Sequence, residues 1–318
     1  MSLPIRILIF LASLVWLVKS SDYFTEYSEK VWLIFGMSSF IIWATIVALG
    51  TSLPELLSGI YAITWWLSEY VIDWAVGSNI ANVLLVLGIW AVMAKTMKVD
   101  SELIDVDLPF FFISMAMFLF FARDGSITRQ ESIFLLAFIV IFVVYSIYSG
   151  ESSETQHNKL TELETKKDKS KVPLYSVIIL LSMAILALSA KYFIDSVLEI
   201  STMLWITSSL LTLSIVALGT SLPEVLTSVA AIRRGNHGIA IGNVFWSNTF
   251  NLTLITWVPA FFGTLTVSEF TQTYWFAFLI IVTLTAIFMT QDNKVQRREW
   301  IALLLLYVAF ISKLTWLV

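Results

Sequence analysis

Apolar residues fall along this chain in blocks long enough to cross a lipid bilayer, separated by short polar stretches. The hydrocarbon core of a bilayer takes about 20 helical residues, with a range of roughly 17 to 25. Such blocks lie near 3–19, 31–65, 71–94, 106–122, 130–149, 173–199, 205–232, 238–262, 272–291 and 299–318. The pattern predicts an all-α membrane protein of ten transmembrane helices. The second and seventh blocks are too long for one straight crossing, and each contains Gly-Thr-Ser-Leu-Pro. Proline removes a backbone donor and crowds the preceding turn, while glycine loosens the helix beside it. Both blocks are therefore expected to be broken helices. The opening block, Leu3 to Val18, runs into Lys19-Ser20-Ser21-Asp22 without a small-x-small cleavage pattern. It reads as a retained helix and not as a signal peptide.

The pattern also repeats. Ala48-Leu-Gly-Thr-Ser-Leu-Pro-Glu55 recurs residue for residue as Ala217 to Glu224, an offset of 169 (217 minus 48). At that offset Ser78-Asn79 matches Ser247-Asn248, and Asn82 matches Asn251. The copies sit in blocks two and seven, an odd number of crossings apart, so they run in opposite directions through the membrane. This predicts two inverted five-helix repeats, with binding where the broken helices meet. The first repeat spans 1–150 with its motif at 48–82, and the second spans 173–318 with its motif at 217–251. A linker, 151–172, joins them.

Composition agrees with burial in lipid. Charged residues make up 13% of the 318 positions, against about 25% for a soluble domain. The 13 Trp and 23 Phe suit bundle interiors and headgroup belts. A net charge of -4, scattered along the chain, points to no nucleic-acid partner. Without cysteine, disulfides cannot contribute.

Charge also sets the expected orientation. One side of the ten spans collects Lys19, Lys30, Lys95, Lys98, Lys159, Lys166, Lys167, Lys169, Lys171, Arg233, Arg234, Lys294, Arg297 and Arg298. The other collects Arg6, Arg123 and Arg129. Basic loops stay cytoplasmic, which places the 151–172 linker inside and both termini outside a plasma or inner membrane.

Glu55 and Glu224 lie inside otherwise apolar blocks, where a charged side chain costs about 2.5 kcal/mol or more. Their symmetric recurrence marks them as functional. Around them the motifs supply hydroxyls from Thr51, Ser52, Thr220, Ser221, Ser78 and Ser247, and amides from Asn82 and Asn251. All of these donors are oxygen, which suits hard cations such as calcium or sodium. Thr51 and Glu55 are spaced i, i+4, as are Ser78 and Asn82, and Ser247 and Asn251, so each pair shares a helix face. A helix break should also free the carbonyls of Ala48 and Ala217. Two ionised glutamates balance one calcium or two sodium ions, so the ions could alternate at one site.

On these residues the chain resembles the sodium/calcium exchanger family, within the calcium:cation antiporters, over essentially its whole length. The resemblance implies a ten-helix inverted repeat around a cluster of ion sites. It also implies alternating access, in which the first and sixth helices slide across the other eight. It implies transported Ca2+ and Na+ in place of any cofactor, and electrogenic exchange of three sodium ions against one calcium. The ligands carried over are Ala48, Thr51, Ser52, Glu55, Ser78 and Asn82, with Ala217, Thr220, Ser221, Glu224, Ser247 and Asn251. Four positions depart from the pattern. Asn251 stands where prokaryotic relatives often carry Asp. Trp246 replaces the glycine that Gly77 supplies in the first copy. Asp73-Trp74 stands opposite Gly242-Asn243. Asp73 is expected to be a solvated helix-start residue, and Trp246 a lipid-facing or gap-filling ring.

Other functions remain open to the same residues. Proton/calcium or other cation antiport needs no histidine relay, and His157 and His237 both fall in predicted loops. A cation channel would need a continuous pore. An intramembrane hydrolase would need a buried base beside its serines, or an HExxH zinc motif, and neither is present. The chain is therefore not expected to be an enzyme. Its oligomeric state is not legible.

Overall fold

A computed structural model describes residues 2–35, 48–65, 67–89, 96–98, 106–150, 169–205, 216–221, 224–225, 228–229, 232, 237–290 and 294–315. Its helices are α1 (Leu3–Ile34), α2 (Ala48–Thr51), α3 (Leu53–Thr64), α4 (Ser68–Ala81), α5 (Leu108–Ala122) and α6 (Arg129–Gly150). The second half adds α7 (Val172–Leu204), α8 (Ala217–Thr220), α9 (His237–Phe262), α10 (Phe276–Thr290) and α11 (Arg297–Thr315). Described helix lies in each of the ten apolar blocks. Most of the linker, 151–168, lies outside the described residues.

Helix α1 is longer than its apolar run. Hydropathy ends at Lys19, but no glycine or proline follows before Gly36, so nothing stops the backbone and the helix continues to Ile34. Helices α1 and α7 each carry a proline in the first turn, Pro4 and Pro173, where a missing N–H has no helical partner to lose. These two helices pack along one another. They form an outer layer: only 22% of the apolar window of α1, and 17% of that of α7, is buried by protein. Their outward residues, among them Leu8, Leu11, Leu174, Leu180 and Leu188, suit lipid.

The centre is the reverse. The window Ser68–Ile89, which contains α4, is 89% buried. Helix α4 packs against α9, and α9 in turn contacts α3, α5 and α6. Five described helices are long and apolar enough to cross a membrane, while Leu108–Ala122 and Ile301–Leu314 are shorter apolar helices.

Two features were not expected. Helix α4 passes into a π-helical turn at Asn82–Val86, and α10 is entered through another at Thr271–Trp275. Loops also pair as short antiparallel ladders, β1 (Thr96–Lys98) with β4 (Lys294–Gln296), and β2 (Ser126–Ile127) with β3 (Leu265–Thr266). Strands of two or three residues carry too little alternation to be read from sequence.

Candidate functional site

The site is built on the two helix breaks. In an unbroken helix the carbonyl of Gly50 would accept from the N–H of residue 54, but Pro54 has none. The Ser21 hydroxyl on α1 donates to that carbonyl instead. The chain turns at Ser52, with φ -89° and ψ 3°, and resumes as α3. The second break turns the same way at Ser221, with φ -78° and ψ 0°. Beyond each turn the helix restarts with a matching bond, Leu56 N–H to Ser52 O at 3.1 Å and Val225 N–H to Ser221 O at 3.1 Å. At the described residues the two copies thus share the turn at the serine and the bond that follows it.

Glu55 sits in the first turn of α3, where the helix dipole favours negative charge. Both glutamates are buried, Glu55 at 1% and Glu224 at 1% exposure. They lie within electrostatic reach of each other, with the Thr220 hydroxyl on the same side. Ser52, Ser78, Asn82, Ser221, Ser247 and Asn251 are buried as well. Among the described residues, the hydroxyls of Ser52, Ser78, Ser221 and Ser247, the Asn82 Oδ1 and both polar atoms of the Asn251 amide have no hydrogen-bond partner. Buried polar atoms are nearly always paired. A set of unpaired oxygens beside two carboxylates has the chemistry of a ligand shell for a hard cation.

Other predicted residues are placed differently. Ala48 and Thr51 lie on α2, but their side chains fall outside the described residues. Thr220 is already engaged: its oxygen accepts from Trp74 Nε1 at 2.9 Å, and its proton faces Val216 O at 3.2 Å. A hydroxyl has two lone pairs, so one remains for an ion. The Ala217 carbonyl accepts the Ser221 N–H at 3.1 Å, which leaves it one lone pair for an ion. A π-helical turn also begins at Asn82, the second member of the Ser78–Asn82 pair.

Asp73 is not solvated. It is fully buried and accepts from the Thr271 hydroxyl at 2.5 Å. Trp246 is a gap-filler: it is 5% exposed, with its ring 4.4 Å from Phe142 and 6.0 Å from Phe250. Its Nε1 donates to Asp107 at 3.2 Å. Trp246 therefore occupies the neighbouring face of α9 to Ser247, about 100° around the helix.

Sequence reasoning missed several residues that shape the site: Ser21, Trp74, Asn79 and Asn248. Only the asparagines gave a signal, since Asn79 and Asn248 recur at the repeat offset.

A lipid-facing outer layer with two buried carboxylates and a set of buried hydroxyl and amide oxygens inside it has the make-up of a membrane cation transporter. The chain belongs to the sodium/calcium exchanger protein family, whose profile matches residues 5–148 and 174–316. It is similar to the sodium/calcium exchanger MaX1 of Methanosarcina acetivorans, at 30% identity over 97% of this chain and 98% of that protein. It is also similar to the inner membrane protein YrbG of Escherichia coli, at 25% identity over 96% of each. A solved structure of the sodium-calcium exchanger NCX_Mj superposes with a TM-score of 0.70, at 29% identity, over 98% of this chain and 99% of that one. The family is one of transporters and not of enzymes, and the chain is an integral, multi-pass cation antiporter.

Proposed function

We propose that this protein exchanges calcium for sodium by alternating access, with net charge movement in each cycle. The ligands in this reading are Ala48, Thr51, Ser52, Glu55, Ser78, Asn82, Ala217, Thr220, Ser221, Glu224, Ser247 and Asn251. One observation carries it: two buried glutamates within reach of each other, together with buried motif oxygens that have no partner among the described residues. The names of MaX1 and NCX_Mj, both sodium/calcium exchangers, support the choice of ions.

The architecture in this reading is ten helices in two inverted repeats, with both termini outside. The loop pairings fit it. β1 and β4 follow the third and ninth crossings, and β2 and β3 follow the fourth and eighth. Each ladder therefore joins loops on one side of the membrane.

The decisive experiment is calcium uptake into proteoliposomes under an imposed sodium gradient, repeated with a proton gradient alone. Uptake driven by sodium, and responsive to membrane potential, is expected. One net charge is worth about 2.3 kcal/mol per 100 mV, so indifference to voltage would exclude the electrogenic cycle. Uptake driven by protons alone would replace sodium as the counter-ion. Single cysteines in this Cys-free chain test topology: one in 151–172 should label from the cytoplasmic side, and one at Ser2 from outside.

A further inference from the structure

Asn79 and Asn248 belong to the repeated motif but not to the ligand set. Their side chains sit between the two central helices. Asn248 Nδ2 on α9 donates to the backbone carbonyl of Asn79 on α4, at 3.5 Å. That contact fixes which way the Asn248 amide faces, because its nitrogen is committed to an acceptor. Its Oδ1 must then accept, and it does so from Asn82 Nδ2 at 3.1 Å. An amide held by its nitrogen presents its oxygen elsewhere. The Asn82 Oδ1 is buried and has no partner among the described residues.

The repeat-related contact is not made. Asn79 Nδ2 donates one turn back, to Ala75 O at 2.7 Å. Its Oδ1 accepts nothing from the described protein, and neither polar atom of the Asn251 amide is bonded. Donor and acceptor for a second bond, Asn251 Nδ2 to Asn79 Oδ1, are both buried and both unused. One amide of the pair is aimed and the other is not.

We infer that Asn248 is a positioning residue: it holds the Asn82 amide by its nitrogen so that the oxygen faces the transported cation. This rests on the ion site proposed above. An amide free to flip would offer a cation its N–H₂ as often as its oxygen. Fixing it removes that competition before the ion arrives.

The test is a double-mutant cycle on the full chain in proteoliposomes, reading the half-saturating calcium concentration and the maximal rate. Asn248→Ala should raise the half-saturating concentration about tenfold, in the range seen when groups orienting a metal ligand are removed. The maximal rate should hold. In an Asn82→Asp background the same substitution should cost nothing. A carboxylate has two equivalent oxygens and no N–H to be held, so there is nothing left to orient. Equal losses in both backgrounds would mean that Asn248 merely supports packing, and no loss in either would mean that it does not position Asn82. Either result overturns the inference. If Asn248→Ala does not yield folded protein, Asn248→Ser, too short to reach Asn82, takes its place in the cycle. Glu55→Gln runs alongside as a control. Active Glu55→Gln would sink the site itself, whereas inactive Glu55→Gln with wild-type behaviour in Asn248→Ala would sink only the positioning role.

Discussion

The two helix breaks are made of the same eight residues, and the protein treats them differently. At the first, α1 lies directly on the break, with the Ser21 hydroxyl on the Gly50 carbonyl and Thr25 against the Gly50 α-carbon. At the second, Ala190 stands at the repeat position of Ser21 and has no hydroxyl to give. Gly219 faces the end of the Leu14 side chain, again from α1. The flanking residues diverge too. Trp74 reaches across to Thr220, whereas Asn243, its counterpart, stays within its own repeat on Ser228 at 3.2 Å. The comparison separates two kinds of constraint. In the reading proposed above, the residues that would hold the ion are duplicated, while those that set the surroundings are not.

If that is right, the largest effects should be symmetric. Glu55→Gln and Glu224→Gln should each reduce calcium uptake to the level of empty liposomes. Glutamine keeps the volume but halves the site's negative charge, and neutral oxygens alone hold a divalent ion weakly. Retained transport in either variant alone would show that one carboxylate suffices, and the paired reading would fail.

The glycines should behave unequally. A Cβ on Gly50 would overlap the Thr25 hydroxyl and come within 3.0 Å of the Thr25 Cβ, close to the backbone of a branched residue. A Cβ on Gly219 would come within 3.0 Å of Leu14 Cδ2, the far end of a flexible side chain. Overpacking of the first kind costs about 1–3 kcal/mol. Gly50→Ala should therefore cut uptake about tenfold or more, and Gly219→Ala by less than about twofold. Equal losses would mean that α1 seals both breaks alike.

A smaller asymmetry should appear between the ligand asparagines. Asn82→Ala removes the donor on Asn248 Oδ1, so it should lower stability by about 1–2 kcal/mol as well as weaken calcium binding. Asn251→Ala breaks no hydrogen bond to the described protein. It should weaken binding while leaving the thermal unfolding midpoint in detergent unchanged. A matching stability loss at both would show that Asn251 is anchored after all.

What was legible in the sequence follows the same division. Glu55, Glu224 and the hydroxyls around them could be named because an ionisable group in an apolar block is costly, and because the motif occurs twice. The broken helices followed from Gly and Pro. Asp73 was misread because an isolated carboxylate near a helix start usually meets water. Here Thr271, distant in the chain, reaches it instead. The direction of the Asn82 amide could not be read at all, because it depends on a carbonyl of Asn79 and an amide of Asn248 that only packing brings together. The π turn at Asn82–Val86 was hidden for a similar reason: an i, i+4 spacing looks the same in a helix about to widen.

The smallest predicted effect concerns the ends of the outer pair, α1 and α7. Residues 6 and 175 are repeat-related, and so are 30 and 199 (199 minus 30 is again 169). The contacts of 6 with 199 and of 30 with 175 are therefore repeat-related, but they are made by different physics. Arg6 makes an ion pair with Glu199. At the opposite end, Lys30 lies 5.9 Å from the Tyr175 ring, which also packs edge-on against Tyr27 at 5.3 Å. Glu199 is 39% exposed, so solvent screens the ion pair and its worth is about 0–1 kcal/mol. The aromatic contact is worth about 0.5–1 kcal/mol and depends little on ionic strength. Arg6→Gln and Tyr175→Leu should therefore lower the unfolding midpoint by similar small amounts in low salt. Raising salt from about 0.1 M to about 1 M shortens the screening length from roughly 10 Å to 3 Å, so the deficit of Arg6→Gln should shrink while that of Tyr175→Leu persists. Tyr175 is the right residue to change because Lys30 also pairs with Glu26, and its removal would mix the two effects. If both deficits fade with salt, the contact at Tyr175 is screened as an ion pair is, and the two ends of the outer pair are alike after all.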